Sequence, residues 1–117
     1  MPPAPVRMTL KWIVTAGEAR SIAGTLQTLM IETRMEPGCL GCSSSFEMDQ
    51  RASIRYVEEW KTEEQLQGQI RSDRFAKLAE LMERSAERPL IEFNLPCGTR
   101  GLEYAEAVRS KDVTDRA

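Results

Sequence analysis

From Val6 to Thr15 the chain alternates: Met8, Leu10, Trp12 and Val14 fall on one side, Thr9, Lys11, Ile13 and Thr15 on the other. That period of two predicts a strand. Gly17 breaks it, and from Glu18 to Met35 the apolar positions Ala19, Ile22, Ala23, Leu26, Leu29 and Met30 recur at three-and-four spacing, which predicts a helix stopped by Pro37-Gly38. Cys42 to Met48 reads as a second strand, with Cys42, Ser44, Phe46 and Met48 on one face. Residues 49–52 form a polar hairpin connection, and Ile54 to Trp60 a third strand with Ile54, Tyr56, Glu58 and Trp60 on one side. Thr62 and Gln65 have capping-box spacing and open a short helix carrying Leu66 and Ile70. Ser72 or Asp73 caps the next helix, with Phe75, Leu78, Ala79, Leu81 and Met82 turned inward. Leu90 to Leu95 alternates again as a fourth strand, 97–101 is a turn, and Leu102, Tyr104, Ala105 and Val108 have the spacing of a last short helix.

The order β-α-β-β-α-β, with the second helical region split, predicts an α+β ferredoxin-like fold on a four-stranded antiparallel sheet. The domain is expected over residues 6–109, with flexible termini at 1–5 and 110–117. Helices cover one face of such a sheet. Trp12, Phe46, Tyr56 and Phe93 suggest apolar or aromatic residues on both faces, so a monomer would expose a large apolar patch. A homodimer is the expected remedy.

Composition narrows the function. The 117 residues carry 16 basic and 18 acidic side chains, a net charge of −2, with both signs interspersed. Nucleic-acid phosphates require a basic face, so nucleic acid is not an expected partner. An RNA-recognition domain on the same topology also lacks its strand aromatics in a basic setting. No apolar run approaches the length of a membrane span, and the Pro-rich start lacks a signal peptide's apolar core; no membrane partner is expected. Three cysteines, an odd number, fit a cytoplasmic location. The absence of histidine removes His-based acid–base catalysis, catalytic triads and most transition-metal sites; no metal and no cofactor are expected.

The run Glu36-Pro37-Gly38-Cys39-Leu40-Gly41, the Glu58-x-Trp60 pair and Ser72-x-x-Phe75 resemble the antibiotic biosynthesis monooxygenase family over residues 8 to 97. The resemblance implies a dimeric α+β barrel, two sheets packed face to face. It also implies a monooxygenase that uses neither flavin, haem nor metal. In such enzymes the electron-rich ring of a quinol or polycyclic phenol reduces oxygen itself, and the protein supplies an apolar cavity and a few polar groups. Many relatives have a histidine nine residues after the Trp of Glu-x-Trp. Gln69 stands there, able to hydrogen-bond a phenol but not to act as a base. The haem-degrading branch is disfavoured, because Ala79, Gln69 and Leu10 occupy the positions of its histidine, tryptophan and asparagine. A non-catalytic dimer that binds a small aromatic ligand is the alternative.

Within that frame Glu58 and Asn94 are the candidate catalytic residues, with Trp12, Tyr56 and Gln69 as candidate substrate-binding residues. A carboxyl among aromatics gains proton affinity if buried, although Glu58 could equally pair with Arg55 or Lys61 at the surface. Asn94 could face the cavity or a solvated edge. Cys39-x-x-Cys42 has the form of a redox pair or half a metal site, but there is no second pair and no helix starts at Cys39. Gly41 followed by a strand is expected to direct the two thiols apart. Glu80, Glu83, Arg84, Glu87 and Arg88 read as a solvated helix face.

Overall fold

The computed structural model describes residues 5–116, with side chains placed through Ser110. The elements run β1 (Val6–Thr15), α1 (Ala16–Arg34), β2 (Cys39–Met48), β3 (Arg51–Trp60), α2 (Glu63–Ile70), α3 (Asp73–Met82), β4 (Leu90–Leu95), β5 (Gly98–Arg100) and α4 (Leu102–Arg116). The sheet order is β2-β3-β1-β4-β5, and every pairing is antiparallel. This is the expected ferredoxin-like α+β arrangement with one correction. The sheet has five strands rather than four, because the expected turn at 97–101 doubles back and pairs Phe93 with Arg100. The sheet of one chain is open and does not close into a barrel. Of the termini expected to be flexible, residues 1–4 and 117 lie outside the described residues, and the backbone of 110–116 continues α4. No helix among the described residues is long and apolar enough to cross a membrane.

Strand register decides the faces. Trp12 opposes Ile54, Leu10 opposes both Tyr56 and Ile91, and Met8 opposes both Glu58 and Phe93. On the far side of β3, Ser44 opposes Tyr56 and Phe46 opposes Ile54. Opposed residues share a face. Trp12, Phe46, Tyr56 and Phe93 therefore all lie on the helix-covered face, and the expectation of aromatics on both faces is overturned. Alternation within a strand says which residues share a side, but only inter-strand register says which sides coincide. The open face carries Arg7, Thr9, Lys11 and Ile13 of β1 with Ser53, Arg55, Val57 and Glu59 of β3. It is polar at its edges, with Thr9 and Val57 buried between longer charged neighbours.

Local chemistry accounts for the connections. The Thr15 hydroxyl accepts from Glu18 N at 3.2 Å and starts α1 two residues earlier than the periodicity suggests. At 62–65 half of the capping box forms: the Thr62 hydroxyl accepts from Gln65 N at 3.1 Å. The Gln65 side chain lies instead over Gly38, and its buried Oε1 has no hydrogen-bond partner. Gly38 adopts φ +88°, a left-handed conformation that reverses the chain after α1, and its carbonyl accepts from Lys61 N at 2.8 Å. The Glu36-Pro37-Gly38 turn is thereby tied to the end of β3. The core between sheet and helices contains Trp12, Trp60, Tyr56, Phe93, Leu26, Leu66 and Leu78 among its most buried side chains. Each large apolar member contributes about 1.5–3 kcal/mol from burial.

Candidate functional site

Tyr56, Glu58 and Trp60 occupy alternate positions of β3, so all three point into the space under α1 and α2. Glu58 is fully buried. Its Oε2 accepts from the Tyr56 hydroxyl at 2.5 Å and from Gln69 Nε2 at 3.1 Å, while Oε1 accepts from Trp60 Nε1 at 2.9 Å. The open alternative of a surface ion pair with Arg55 or Lys61 is therefore closed: Arg55 lies on the opposite face of β3 and both cations are exposed.

Gln69 projects from α2 and is itself held from two sides. Its Nε2 also donates to Thr33 Oγ1 of α1 at 3.2 Å, and its Oε1 accepts from Arg74 Nε and Nη2 at 3.1 and 3.0 Å. Arginine only donates, so this paired contact makes the oxygen of the amide face Arg74 and the NH2 face Glu58. Arg74 also pairs with Glu36 at 3.2 Å, which links the turn after α1 to the cluster. At the other end Cys42 Sγ donates to the Tyr56 hydroxyl at 3.2 Å. The polar chain thus runs from Arg74 through Gln69, Glu58 and Tyr56 to Cys42.

Burial raises the proton affinity of Glu58, opposed in turn by the Tyr56, Trp60 and Gln69 donors and the Arg74 charge; desolvation wins. Burial, reinforced by the Glu58 charge, also drives the Tyr56 phenol upward, so it stays protonated. The Cys42 thiol is pushed up to about 12, mainly by burial. A low-pKa nucleophilic thiol is thus absent from this cluster.

The structure brings Glu58, Tyr56 and Gln69 into direct contact. It does not bring Asn94 to them. Asn94 opposes Arg7 on the open face and donates to Glu92 Oε1 and Thr99 Oγ1, both at 3.2 Å. Within one chain Glu58 and Asn94 therefore lie on opposite faces of the sheet. Trp12 is buried on the helix-covered face, but its Nε1 has no hydrogen-bond partner and it does not join the cluster.

The thiol pair also departs from expectation. Cys39 opposes Trp60, Gly41 opposes Glu59 and Cys42 opposes Glu58, so a bulge at Leu40 lies between the cysteines. The extra residue restores the phase, and both thiols lie on the helix-covered face rather than on opposite ones. All three cysteines are free.

Sequence reasoning missed Trp60, Thr33, Cys42 and Arg74 as members of the cluster. Trp60 had a signal, the i, i+2 spacing from Glu58 on a strand. Arg74, the second residue of α3, had none.

Glu58 lines none of three grooves on the described residues. A groove of about 1010 Å³ lies at another end of the helical layer. It is lined by Phe75, Ala79 and Met82 of α3, by the 85–91 segment and by Gly101, Leu102 and Glu103 around the start of α4. Smaller grooves of about 560 Å³ and 400 Å³ flank the cluster's two ends, at Cys39–Ser43 and at Arg74 respectively.

No protein-family profile matches the chain, and no curated protein matches it in sequence. Solved structures do match. A conserved protein from Methanosarcina mazei Go1 superposes with a TM-score of 0.67 at 25% identity, over 78% of this chain and 91% of that one. A Nitrosomonas europaea protein assigned provisionally as an antibiotic biosynthesis monooxygenase gives 0.68 at 11% identity, over 80% and 90%. A further antibiotic biosynthesis monooxygenase gives 0.64 at 16% identity, over 75% and 94%.

Proposed function

We propose that this chain, which has the fold of the antibiotic biosynthesis monooxygenases, is a monooxygenase that needs no bound cofactor and acts on a quinol or polycyclic phenol. The observation that carries this reading is Glu58, a carboxyl whose proton affinity is raised by an apolar core and whose direction is fixed by Tyr56, Trp60 and Gln69. Proton affinity above the usual carboxylate range is what a base for a phenol requires. Loss of the phenol proton enriches the ring in electrons, the ring reduces O2, one oxygen atom enters the product and the other leaves as water. Tyr56 accepts from the Cys42 thiol and donates to Glu58, and Gln69 orients the carboxyl. Trp12 supplies apolar wall on the same face. Asn94 lies across the sheet on the open face and is left out of this reading.

The working unit in this reading is a homodimer in the cytoplasm, joined through the open sheet face. That face alternates cations (Arg7, Lys11, Arg55) with carboxylates (Glu59, Glu92) around Thr9 and Val57, a pattern that a two-fold axis can make self-complementary. Three free thiols fit a reducing compartment.

Oxygen uptake with a panel of hydroquinones and anthrones tests the reading. Activity without added cofactor is expected, falling by about 100-fold in Glu58→Gln. Full activity in that variant would remove Glu58 from the mechanism. A second reading, a non-catalytic dimer that binds a small aromatic ligand, is favoured by one observation: both Glu58 oxygens are already satisfied by the chain's own donors. Binding of a hydroquinone with no oxygen consumption would decide for it.

A further inference from the structure

The Gln69 amide has a donor end and an acceptor end, and the two suit different states of Glu58. NH2 supports a carboxylate; oxygen supports a protonated carboxyl, which can donate to it. In the structure the NH2 faces Glu58 at 3.1 Å and also donates to Thr33 Oγ1 at 3.2 Å. The oxygen accepts from both Nε and Nη2 of Arg74. The break between α2 and α3 makes that contact possible. Ser72 donates to the Gln69 carbonyl through its hydroxyl at 2.6 Å and its N–H at 3.0 Å, and the same hydroxyl caps α3 by accepting from Phe75 N at 3.3 Å. Arg74, the second residue of α3, is thereby carried back onto the Gln69 side chain. Glu36, 3.2 Å away, steadies the guanidinium from the rim. The other ionisable groups facing Glu58 are Tyr56 of its own strand and Cys42 and Cys39 of β2, and burial keeps all three protonated at neutral pH. Thr33 of α1 and Met8 of β1 carry no charge, so Arg74 is the charge that Glu58 meets.

We propose that Arg74 is a positioning residue for Glu58: its guanidinium fork holds the Gln69 amide oxygen and so turns the NH2 onto the carboxylate. A flipped amide would set NH2 against the guanidinium and oxygen against the carboxylate, two repulsive contacts inside the core. Without the fork the amide is free to flip as Glu58 takes up a proton. It then accepts from the new O–H, and the protonated state gains a hydrogen bond that Arg74 denies it. Arg74 thus favours the base form of Glu58 against the burial that opposes it. This deepens the function proposed above and rests on it for the use of Glu58 as a base; the positioning itself is a property of the free protein. A charge acting through space would also favour the carboxylate. The two routes part at Gln69, because the fork needs the amide and the charge does not.

Glu58 can be titrated directly by its carboxyl carbon shift in protein labelled with 13C-glutamate, the signal assigned by its absence from Glu58→Gln. Arg74→Met keeps the packing of the arginine stem, on a side chain 22% exposed. It should raise the Glu58 midpoint by about one pH unit. In a Gln69→Met background the same substitution should raise it by less than about half of that, the part due to charge alone. An Arg74→Met that leaves the midpoint in place, or moves it equally in both backgrounds, would overturn the proposal. Hydrogen exchange of the Gln69 side-chain amide gives a second reading that needs no variant at 69. Exchange should be slow in the wild type and about tenfold faster or more in Arg74→Met; equal rates would overturn the lock. Oxygen uptake separates the positioning from the reading beneath it. With turnover, the acidic limb of kcat/KM should rise in pH together with the Glu58 midpoint in Arg74→Met. A protein whose Glu58 titrates as expected but that consumes no oxygen defeats the oxygenase reading alone, whereas turnover in a protein whose Glu58 midpoint ignores Arg74→Met defeats the positioning alone.

Discussion

Replacing Glu58 by glutamine should remove a pH dependence of stability that the wild-type core carries. Taking a carboxylate out of water costs several kcal/mol even after the protein relaxes. Against this, Tyr56, Trp60 and Gln69 each donate a hydrogen bond to it, worth about 1.5–3 kcal/mol apiece to a charged acceptor, and Arg74 adds a favourable charge beyond Gln69. The two sums are of similar size, and burial prevails, so folded Glu58 keeps its proton to higher pH than the ordinary value of 4.5. Above 4.5 the unfolded chain has released this proton while the folded chain still holds it. Stability therefore falls as pH rises through that window, with a slope of up to about 1.4 kcal/mol per pH unit. The fall ends once pH passes the folded-state pKa. Glutamine has no proton to lose, and its curve should lack this component while carrying a constant offset for the altered hydrogen bonds. Urea unfolding followed by circular dichroism, at fixed protein concentration from about pH 5 to pH 9, measures the difference. With a urea slope of about 1–3 kcal/mol/M, one pH unit should move the wild-type midpoint by about 0.5–1.4 M relative to the variant. A difference that stays constant with pH, or a wild type that gains on the variant as pH rises, would show that the core accommodates the charged carboxylate freely and would refute the reasoning.

Tyr56→Phe removes the shortest contact to Glu58 and the acceptor of the Cys42 thiol, and should cost about 1.5–3 kcal/mol, read as a fall in Tm of about 5–10 °C. Gly38→Ala should cost more than about 1 kcal/mol, since the residue sits at φ +88° and a Cβ would lie 1.9 Å from Gln65 Oε1; adding Gln65→Ala should recover part of the loss in thermal unfolding. With an aromatic disulfide reagent near pH 8, exposed Cys97 should react first and the partly buried Cys39 and buried Cys42 much later, because burial raises both of their thiol pKa values; equal rates would contradict the packing of Cys42 on Tyr56. Light scattering should give twice the 13.2 kDa chain mass; a stable monomer at micromolar concentration would leave Thr9, Ile13 and Val57 as ordinary surface and remove the dimer.

Periodicity alone placed β1, α1, α3 and β4 close to their final bounds, because those segments alternate or repeat at a single strong period; β3 starts three residues earlier than expected, at Arg51, within the expected hairpin connection. The bulge at Leu40 and the strand at Gly98–Arg100 escaped it, since each depends on a partner strand rather than on its own residues. The same division runs through the site. That Tyr56, Glu58 and Trp60 share a side follows from their spacing, and the presence of a carboxyl in that row was enough to mark Glu58. Whether that side was core or solvent, and whether Asn94 joined it, was settled by register: Met8 brings Glu58 and Phe93 to one face, and Asn94, one residue along from Phe93, falls on the other. Arg74 came to matter only when α2 and α3 packed so that its guanidinium met the Gln69 amide. Local pattern is written by the chain's own backbone period, which the sequence carries in full. The meeting of residues from different elements depends on burial shared among distant segments, and that exists only once they have packed.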